Sequence, residues 1–323
     1  MSKPGLPEMS VVLVTPDCHK TIRKTLGHLK AQTARDRLEI VIVAPSKSQL
    51  RLEAADLRDF CRFRVVEVGE IKSIGAANAA GVRHATASVV VLAEDHSFPD
   101  RNWAEVLIDA HRENWAAVGP AVRNANPGST ISWADFLIAY GPWMERVSAG
   151  AVQHLPGHNS SYKRSVLLEY GAALETMLEA ESVLHWDLNN KGYRLYLEPR
   201  ARISHMNFGV LSSWLAAQFH SARMFAAIRS RGWSAVQRLL YTGAAPLIPA
   251  IRFRRILKQA QQHSHRLQPR VFPALILGLT VSALGEMTGY ALGAGQSRKS
   301  LTHLEFHRIR HIGRRQPPLK VAE

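Results

Sequence analysis

Three groups of residues have the types and spacing to do chemistry. The first follows the apolar run Ser88–Ala93, where Glu94, Asp95 and His96 come in direct succession. Two carboxylates and an imidazole are ligands that can hold Mn²⁺ or Mg²⁺ against a diphosphate. They can equally be a polar turn whose carboxylates cap the next helix, which is expected to start near Trp103 after a turn at Phe98-Pro99. The second is Glu181. Leu174, Met177, Leu178, Leu184 and Leu188 predict one helix running to about Lys191, with Glu181 on the same face. An inward carboxylate is costly unless it is paired or working, and a raised pKa would suit a general base. A structural glutamate bonded to an arginine or to backbone N–H groups is the plainer alternative. The third is His205, beyond the expected strand Tyr193–Glu198 and a turn at Pro199; it could complete a metal site, although a lone histidine is more often structural.

The surrounding pattern says what must position these groups. Val11–Val14, Glu39–Ala44, Arg64–Val68 and Ser88–Glu94 are short apolar runs, separated by segments of helical period. Ile22, Leu26 and Leu29 mark one helix face, and Ile74–His84 is an Ala-rich helix. Unbroken Val/Ile runs indicate strands buried on both faces, hence an α/β chain with a mostly parallel sheet flanked by helices. Ligands of such sheets bind beyond the carboxyl ends of the strands. That places Thr15–His19, Ala44–Ser46 and Glu94–Ser97 at the working edge.

Composition bounds the class. The chain has 323 residues, 46% hydrophobic and 21% charged, which excludes a disordered protein. Two cysteines, Cys18 and Cys61, supply no disulfide framework and no zinc spacing, which favours a reducing compartment. The first apolar run is too short for a secretory signal. The net charge of +15 is unevenly placed: residues 1–199 sum to −1, while residues 200–323 carry 19 basic and three acidic side chains. The tail is built to meet something negative.

Taken in order, five segments resemble family 2 glycosyltransferases, which have the Rossmann-like GT-A fold. They are MSVVLVTPDCHKTIRKTLGHLKAQT, EIVIVAPS, IGAANAAGVRHATASVVVLAEDHSFP, LPGHNSSYKRSVLLEYG and ESVLHWDLNNKGYRLYLEPRARISH. The resemblance covers residues 9–207 and implies a catalytic domain over 1–205, with a helical, basic region over 206–323. It implies a nucleotide-diphosphate sugar donor, an acceptor hydroxyl, a divalent cation and an inverting displacement. By position it makes Glu181 the base and assigns the donor to Thr15, Pro16, Ala44, Asn78, Glu94 and Asp95. It puts His158 and Asn159 on the acceptor side, and Asp95, His96 and His205 on the metal. The chain departs from the pattern in four places, one being that the arginine/glutamine–tryptophan signature of the later helix has only Gln218 and Arg223 as loose counterparts. Ala44-Pro45 stands where the family ends its second strand in Asp-Asp, Glu94-Asp95-His96 stands for D-x-D, and Glu181-Ser182 for the acidic pair. A substrate-specialised enzyme fits these changes, and so does a non-catalytic protein that holds a nucleotide sugar; the survival of Asp95 and Glu181 favours the enzyme.

The tail adds an expectation of its own. Leu239–Ile251 is apolar but interrupted by Pro246 and Pro249, and Trp214–Ile228 reads as a helix. Val271–Gly295 has 25 residues with one charge, Glu286, and is long enough to span a bilayer. Gly285, Gly289 and Gly293 recur along it at the spacing that lets helices approach closely in lipid. Six Lys/Arg in Arg252–Arg270 and seven in Arg298–Lys320 flank it. Two basic flanks suit a peripheral or re-entrant helix on the cytoplasmic face better than a single span, with a buried soluble helix as the third reading, and suit an acceptor that is lipid-linked or an envelope polysaccharide. Basic residues interleaved with an apolar 25-mer, rather than with stacking aromatics, point away from nucleic acid.

Overall fold

The computed structural model describes residues 5–53, 57–262 and 267–313. Arg266, Arg314, Arg315, Lys320 and Glu323 of the charged tail lie outside the described residues. The chain forms two compact units: Met1–Ala121 with Glu145–Ile203, and Val122–Met144 with Ser204–Glu323.

The first unit carries a mixed α/β sheet with helices alongside. Its strands are β1 (Met9–Val14), β2 (Leu38–Ala44), β3 (Arg62–Glu67), β4 (Val89–Ala93), β5 (Ser97–Pro99), β6 (Ala117–Asn124), β7 (Gly150–Val152), β8 (Ser161–Lys163) and β9 (Leu195–His205). They run in the order β3-β2-β1-β4-β8-β6-β9-β5, with β7 paired to β9. β1, β2, β3 and β4 are mutually parallel, with Val11 opposite Ile40 and Val91, and β8 lies antiparallel to both β4 and β6. Every residue of β1, β2 and β4 is buried, as unbroken apolar runs require of strands covered on both faces. The helices at this stage of the chain are α1 (His19–Lys30), α2 (Lys47–Leu50), α3 (Ile74–His84) and α4 (Trp103–Ala110). α3 opens on Ser73, whose hydroxyl accepts from the Ala76 N–H (3.0 Å), and Gly81 lets it close on Val12 and Val43. α5 (Thr130–Tyr140) belongs to the second unit; α6 (Arg164–Leu168), α7 (Leu174–Met177) and α8 (Glu181–Asn190) complete the first.

Local geometry departs from the sequence expectations in three places. The helix expected through Glu181 is broken into α7 and α8, because Ala180 is extended (φ −149°, ψ 80°). Leu174, Leu178, Leu184 and Leu188 are all buried regardless, so their spacing survived a break it could not reveal. Pro199 does not turn the chain but sits inside β9, where its fixed φ is compatible with an extended backbone. Ser97–Pro99 is a short strand rather than a turn, and the helix starts at Trp103 as expected. Val122–Met144 groups in one compact unit with Ser204–Glu323. The reason is that α5 packs on a helix far along the chain, a contact no local pattern records.

That second unit is helical: α9 (Leu211–Arg229), α10 (Ala235–Ala244), a 3₁₀ turn Ala245–Leu247, α11 (Ile248–Gln262), α12 (Val271–Leu292) and α13 (Ser297–Phe306). α12 is long and apolar enough to cross a membrane. It is also the centre of the unit, packed on α5, α9, α10 and α11. The glycines expected to serve helix contacts in lipid do so within the chain. A Cβ at Gly285 would collide with the Phe219 carbonyl and one at Gly289 with the Arg223 carbonyl, both on α9, while Gly278 faces the ring of Trp214. Gly293 caps the helix in the left-handed region (φ 72°). Glu286 is internally satisfied: Tyr290 donates to it (3.3 Å), Arg252 lies close enough to lower its pKa, and Arg252 in turn donates to the Ser282 hydroxyl (3.0 Å). Burial outweighs these partners and leaves the Glu286 pKa raised. A buried Asp135 ties α5 to the rest, accepting from the Phe208 N–H (3.0 Å), the Trp214 indole (3.0 Å) and Arg308 (3.5 Å).

Candidate active site

The ends of β1, β2 and β4 hold the residues expected to meet a donor. Thr15 is fully buried and its N–H donates to the Val43 carbonyl (2.9 Å), so Pro16 leaves the sheet in a fixed direction. Asp17 then starts α1 by accepting from the Cys18 N–H (2.6 Å) and the Thr21 hydroxyl (2.5 Å). Ala44 closes β2, and its carbonyl accepts from the Val68 N–H (3.1 Å). Asn78, on α3, is buried, and its Oδ1 has no hydrogen-bond partner among the described residues. An unsatisfied buried acceptor calls for an explanation, and a donor on a bound ligand would supply one.

Glu94 is held in one orientation. Its Oε2 accepts from the Ser97 hydroxyl (2.8 Å) and the Asn159 amide (3.1 Å), while Oε1 faces His96 Nε2 at 3.5 Å and His158 Nδ1 at 3.7 Å. Asn159, expected on the acceptor side, is thus spent on Glu94. Its own N–H donates to the Leu92 carbonyl (2.7 Å), and it takes the left-handed conformation (φ 63°) that asparagine tolerates. Asp95 and His96 are both buried and paired with each other, Nδ1 to Oδ1 at 2.6 Å. With Nδ1–H donating to Asp95, the imidazole presents Nε2 toward Glu94 Oε1.

His205 closes β9 in the second unit. Its Nδ1 lies 2.9 Å from Asn207 Oδ1, and its ring is 4.6 Å from that of Tyr140.

Glu181 is the first residue of α8, and its side chain is 16% exposed. Oε1 is buried without a hydrogen bond; His158 Nε2 lies 3.3 Å away but without bonding geometry. Burial pushes the Glu181 pKa up, His158 offsets part of this, and the negative charges of Glu94 and Glu179 add to the rise. His158 therefore stands between two carboxylates, with one ring nitrogen toward Glu94 and the other toward Glu181.

The loop carrying His158 is stapled to the helix carrying Glu181. Asn189 donates to the Gln153 carbonyl (2.9 Å), the Trp186 indole to His154 Nε2 (2.9 Å), and the Leu155 N–H to His185 Nδ1 (3.5 Å). Burial drives the His185 pKa down to about 3, so the ring is neutral and its Nε2–H donates to the Tyr162 hydroxyl (2.9 Å). Further along the loop, a Cβ on Gly157 would come within 2.8 Å of the Glu181 carboxyl carbon. Glycine at 157 is what lets the carboxylate sit there. Gly157→Ala is expected to displace the Glu181 carboxylate and bring its raised pKa down toward the ordinary carboxylate range, read by NMR titration, with the circular-dichroism spectrum unchanged.

Residues 10–171 match the model of the family described as glycosyl transferase family 2. The chain belongs to that family. No curated protein matches this chain in sequence. Among solved structures, GalNAc-T7 with UDP, GalNAc and Mn²⁺ superposes with a TM-score of 0.52 at 14% identity, over 81% of this chain and 55% of that one. The mannosyltransferase PcManGT from Pyrobaculum calidifontis, with GDP-Man and Mn²⁺, gives 0.48 at 18% identity over 94% and 88% of the two chains. S. aureus TarS gives 0.45 at 12% identity over 87% and 55%. The chain thus spans about 55% of the length of the GalNAc-T7 and TarS chains. Its likeness to GalNAc-T7 bears on the fold alone, and that fold is GT-A.

The motif resemblance points to Glu94, Asp95, His96 and Glu181, the last of which lies beyond the matched residues 10–171. It gives no sign of Ser97 and Asn159 as the groups that orient Glu94, nor of His185 and Gly157 as supports for Glu181. Ser97 and His185 do carry a local signal, being three residues past Glu94 and one helical turn past Glu181.

Proposed function

We propose that this transferase moves a sugar from a nucleotide-diphosphate donor to an acceptor hydroxyl with inversion, Glu181 acting as general base. The observation that carries the reading is the half-buried Glu181 carboxylate, whose Oε1 is buried without a hydrogen bond, with His158 standing between it and the carboxylate at the end of β4. Oε1 is placed to take the acceptor proton as the hydroxyl attacks the anomeric carbon. His158 stands beside the same oxygen and favours its ionised form. Asn78 offers a buried acceptor to the donor substrate, and Thr15, Pro16 and Ala44 define the strand ends it would lie across.

The donor set fits a divalent cation. Glu94 Oε1 and His96 Nε2 are 3.5 Å apart, a spacing two ligands of one ion can have. Asp95 orients the imidazole from its far side, as carboxylates do for metal-bound histidines. A carboxylate and imidazole mixture suits Mn²⁺ better than Mg²⁺. When bound, the cation would neutralise charge on the departing diphosphate. UDP and Mn²⁺ in the GalNAc-T7 structure are in keeping with this assignment. Asp95→Asn is expected to weaken Mn²⁺ binding by roughly 10- to 100-fold, read by calorimetric titration of the protein with the metal.

We place the work at the cytoplasmic face of a membrane, on a lipid-linked or envelope-polysaccharide acceptor. The excess positive charge of residues 200–323 and the apolar surface of the second unit support this. The deciding experiment is a screen of nucleotide sugars with Mn²⁺, reading release of nucleoside diphosphate. Tight nucleotide binding without release for any donor or acceptor would replace the enzyme with a nucleotide-sugar-binding protein.

A further inference from the structure

α10 is built on an amphipathic pattern, yet none of its residues is buried. Val236, Leu239 and Leu240 are 67, 72 and 65% exposed, and the row continues through Leu247 (62%) and Ile251 (54%). Val236, Leu239 and Leu240 are three and four residues apart on one face of α10, and Leu247 and Ile251 add two exposed apolar positions four residues apart across the 3₁₀ turn and the start of α11. The helix is held in place from its other side. Trp233 stacks on Tyr290 at 5.7 Å, Tyr241 lies 5.5 Å from the same ring, and Arg229 sits over Tyr241 at 4.9 Å. Well-anchored helices that turn an apolar stripe outward mark an interaction surface.

The stripe ends in positive charge. Arg254, Arg255 and Lys258 are exposed and follow Ile251 by three, four and seven residues, which keeps them on the same face of α11. Among the described residues none of the three pairs with a carboxylate. The described acidic groups of this unit are already engaged: Asp135 and Glu305 with Arg308, Glu286 with Tyr290 and Arg252. Negative charge to meet these cations must come from outside the unit.

We infer that the α10–α11 face docks on an anionic lipid surface, with Val236, Leu239, Leu240, Leu247 and Ile251 below the head groups and Arg254, Arg255 and Lys258 against the phosphates. This rests on the membrane reading above and moves the contact away from α12, whose glycine seam and buried Glu286 are used in internal packing. A second copy of the chain would bring the same cations to a two-fold contact and repel them. Nucleic acid would meet the cations but leaves Leu, Ile and Val without stacking partners. A bilayer with acidic lipids satisfies both halves of the stripe.

The test is co-sedimentation of the full chain with phosphatidylcholine vesicles, with and without phosphatidylglycerol. Leu239→Gln/Leu240→Gln and Arg254→Glu/Arg255→Glu/Lys258→Glu change exposed side chains only, and circular dichroism checks that the fold is kept. Wild type is expected to sediment with the anionic vesicles, and each variant set to lower its partition at least tenfold. Undiminished binding by both sets would overturn this surface and leave the membrane reading intact. Wild type that ignores both kinds of vesicle would remove the membrane reading as well, while the nucleotide-release screen still tests sugar transfer. A dimer in sedimentation velocity that Leu239→Gln/Leu240→Gln dissociates, or binding to duplex DNA that the charge reversal abolishes, would assign the face to another partner.

Discussion

Glu181→Gln is expected to lower kcat about a thousandfold and leave donor binding within a few-fold of wild type, since a positioned base is worth roughly 10²–10⁴ in rate. The glutamine keeps the volume between Gly157 and His158 but has no proton-accepting carboxylate. Single-turnover kinetics and titration with the nucleoside diphosphate separate the two effects. The raised Glu181 pKa adds two further signs. Because the working form is ionised, the acid limb of the kcat profile should lie above the pH at which an ordinary glutamate titrates. A folded-state pKa above the unfolded one means that Glu181 contributes stability at low pH and loses it as pH rises through the folded value. At neutral pH the glutamine variant should therefore be at least as stable as wild type in urea. Equal turnover by the two proteins would remove Glu181 from the chemistry, and a less stable variant would make it a structural residue.

The second large effect concerns the centre of the helical unit. Gly289→Leu is expected to cost about 3 kcal/mol or more, because overpacking against a rigid neighbour cannot be relieved by a rotamer change. A Cβ there would meet the Arg223 carbonyl and stand 2.7 Å from the Ala226 Cβ, so α9 and α12 would have to part. Leu284→Ala is the control: its side chain is 47% exposed, and its loss should shift the transition little. Differential scanning calorimetry of the two variants measures both. A Gly289→Leu protein as stable as the control would mean that the two helices do not rely on this close approach.

Much of the sheet is legible in the sequence for a simple reason. A strand buried on both faces is apolar along most of its length, and β1, β2 and β4 are recognisable from that; the buried exceptions, Ser10 and Glu39, bond to each other. Their order also places Glu94 at the carboxyl edge of the sheet. Glu181 was legible through its motif and not through its periodicity. The leucines that suggest one continuous helix remain buried across the break at Ala180, because α7 and α8 meet the same core.

What the sequence determined by itself is therefore local: which runs must be strands, which carboxylates follow them, and that the excess of positive charge lies in the last 124 residues. What only the tertiary structure decided is which groups those carboxylates face. Asn159 reaches Glu94, His158 links Glu94 to Glu181, and Gly157 opens the space Glu181 occupies, all through loop contacts between residues far apart in the chain. The same holds for α12. Length and apolarity admit a membrane span, and glycines every four residues admit a partner in lipid. The folded chain spends those glycines on α9 and pairs Glu286 internally, leaving α10 and α11 to show an apolar stripe. Hydrophobic pattern records that a face must be covered; only packing in three dimensions says by what.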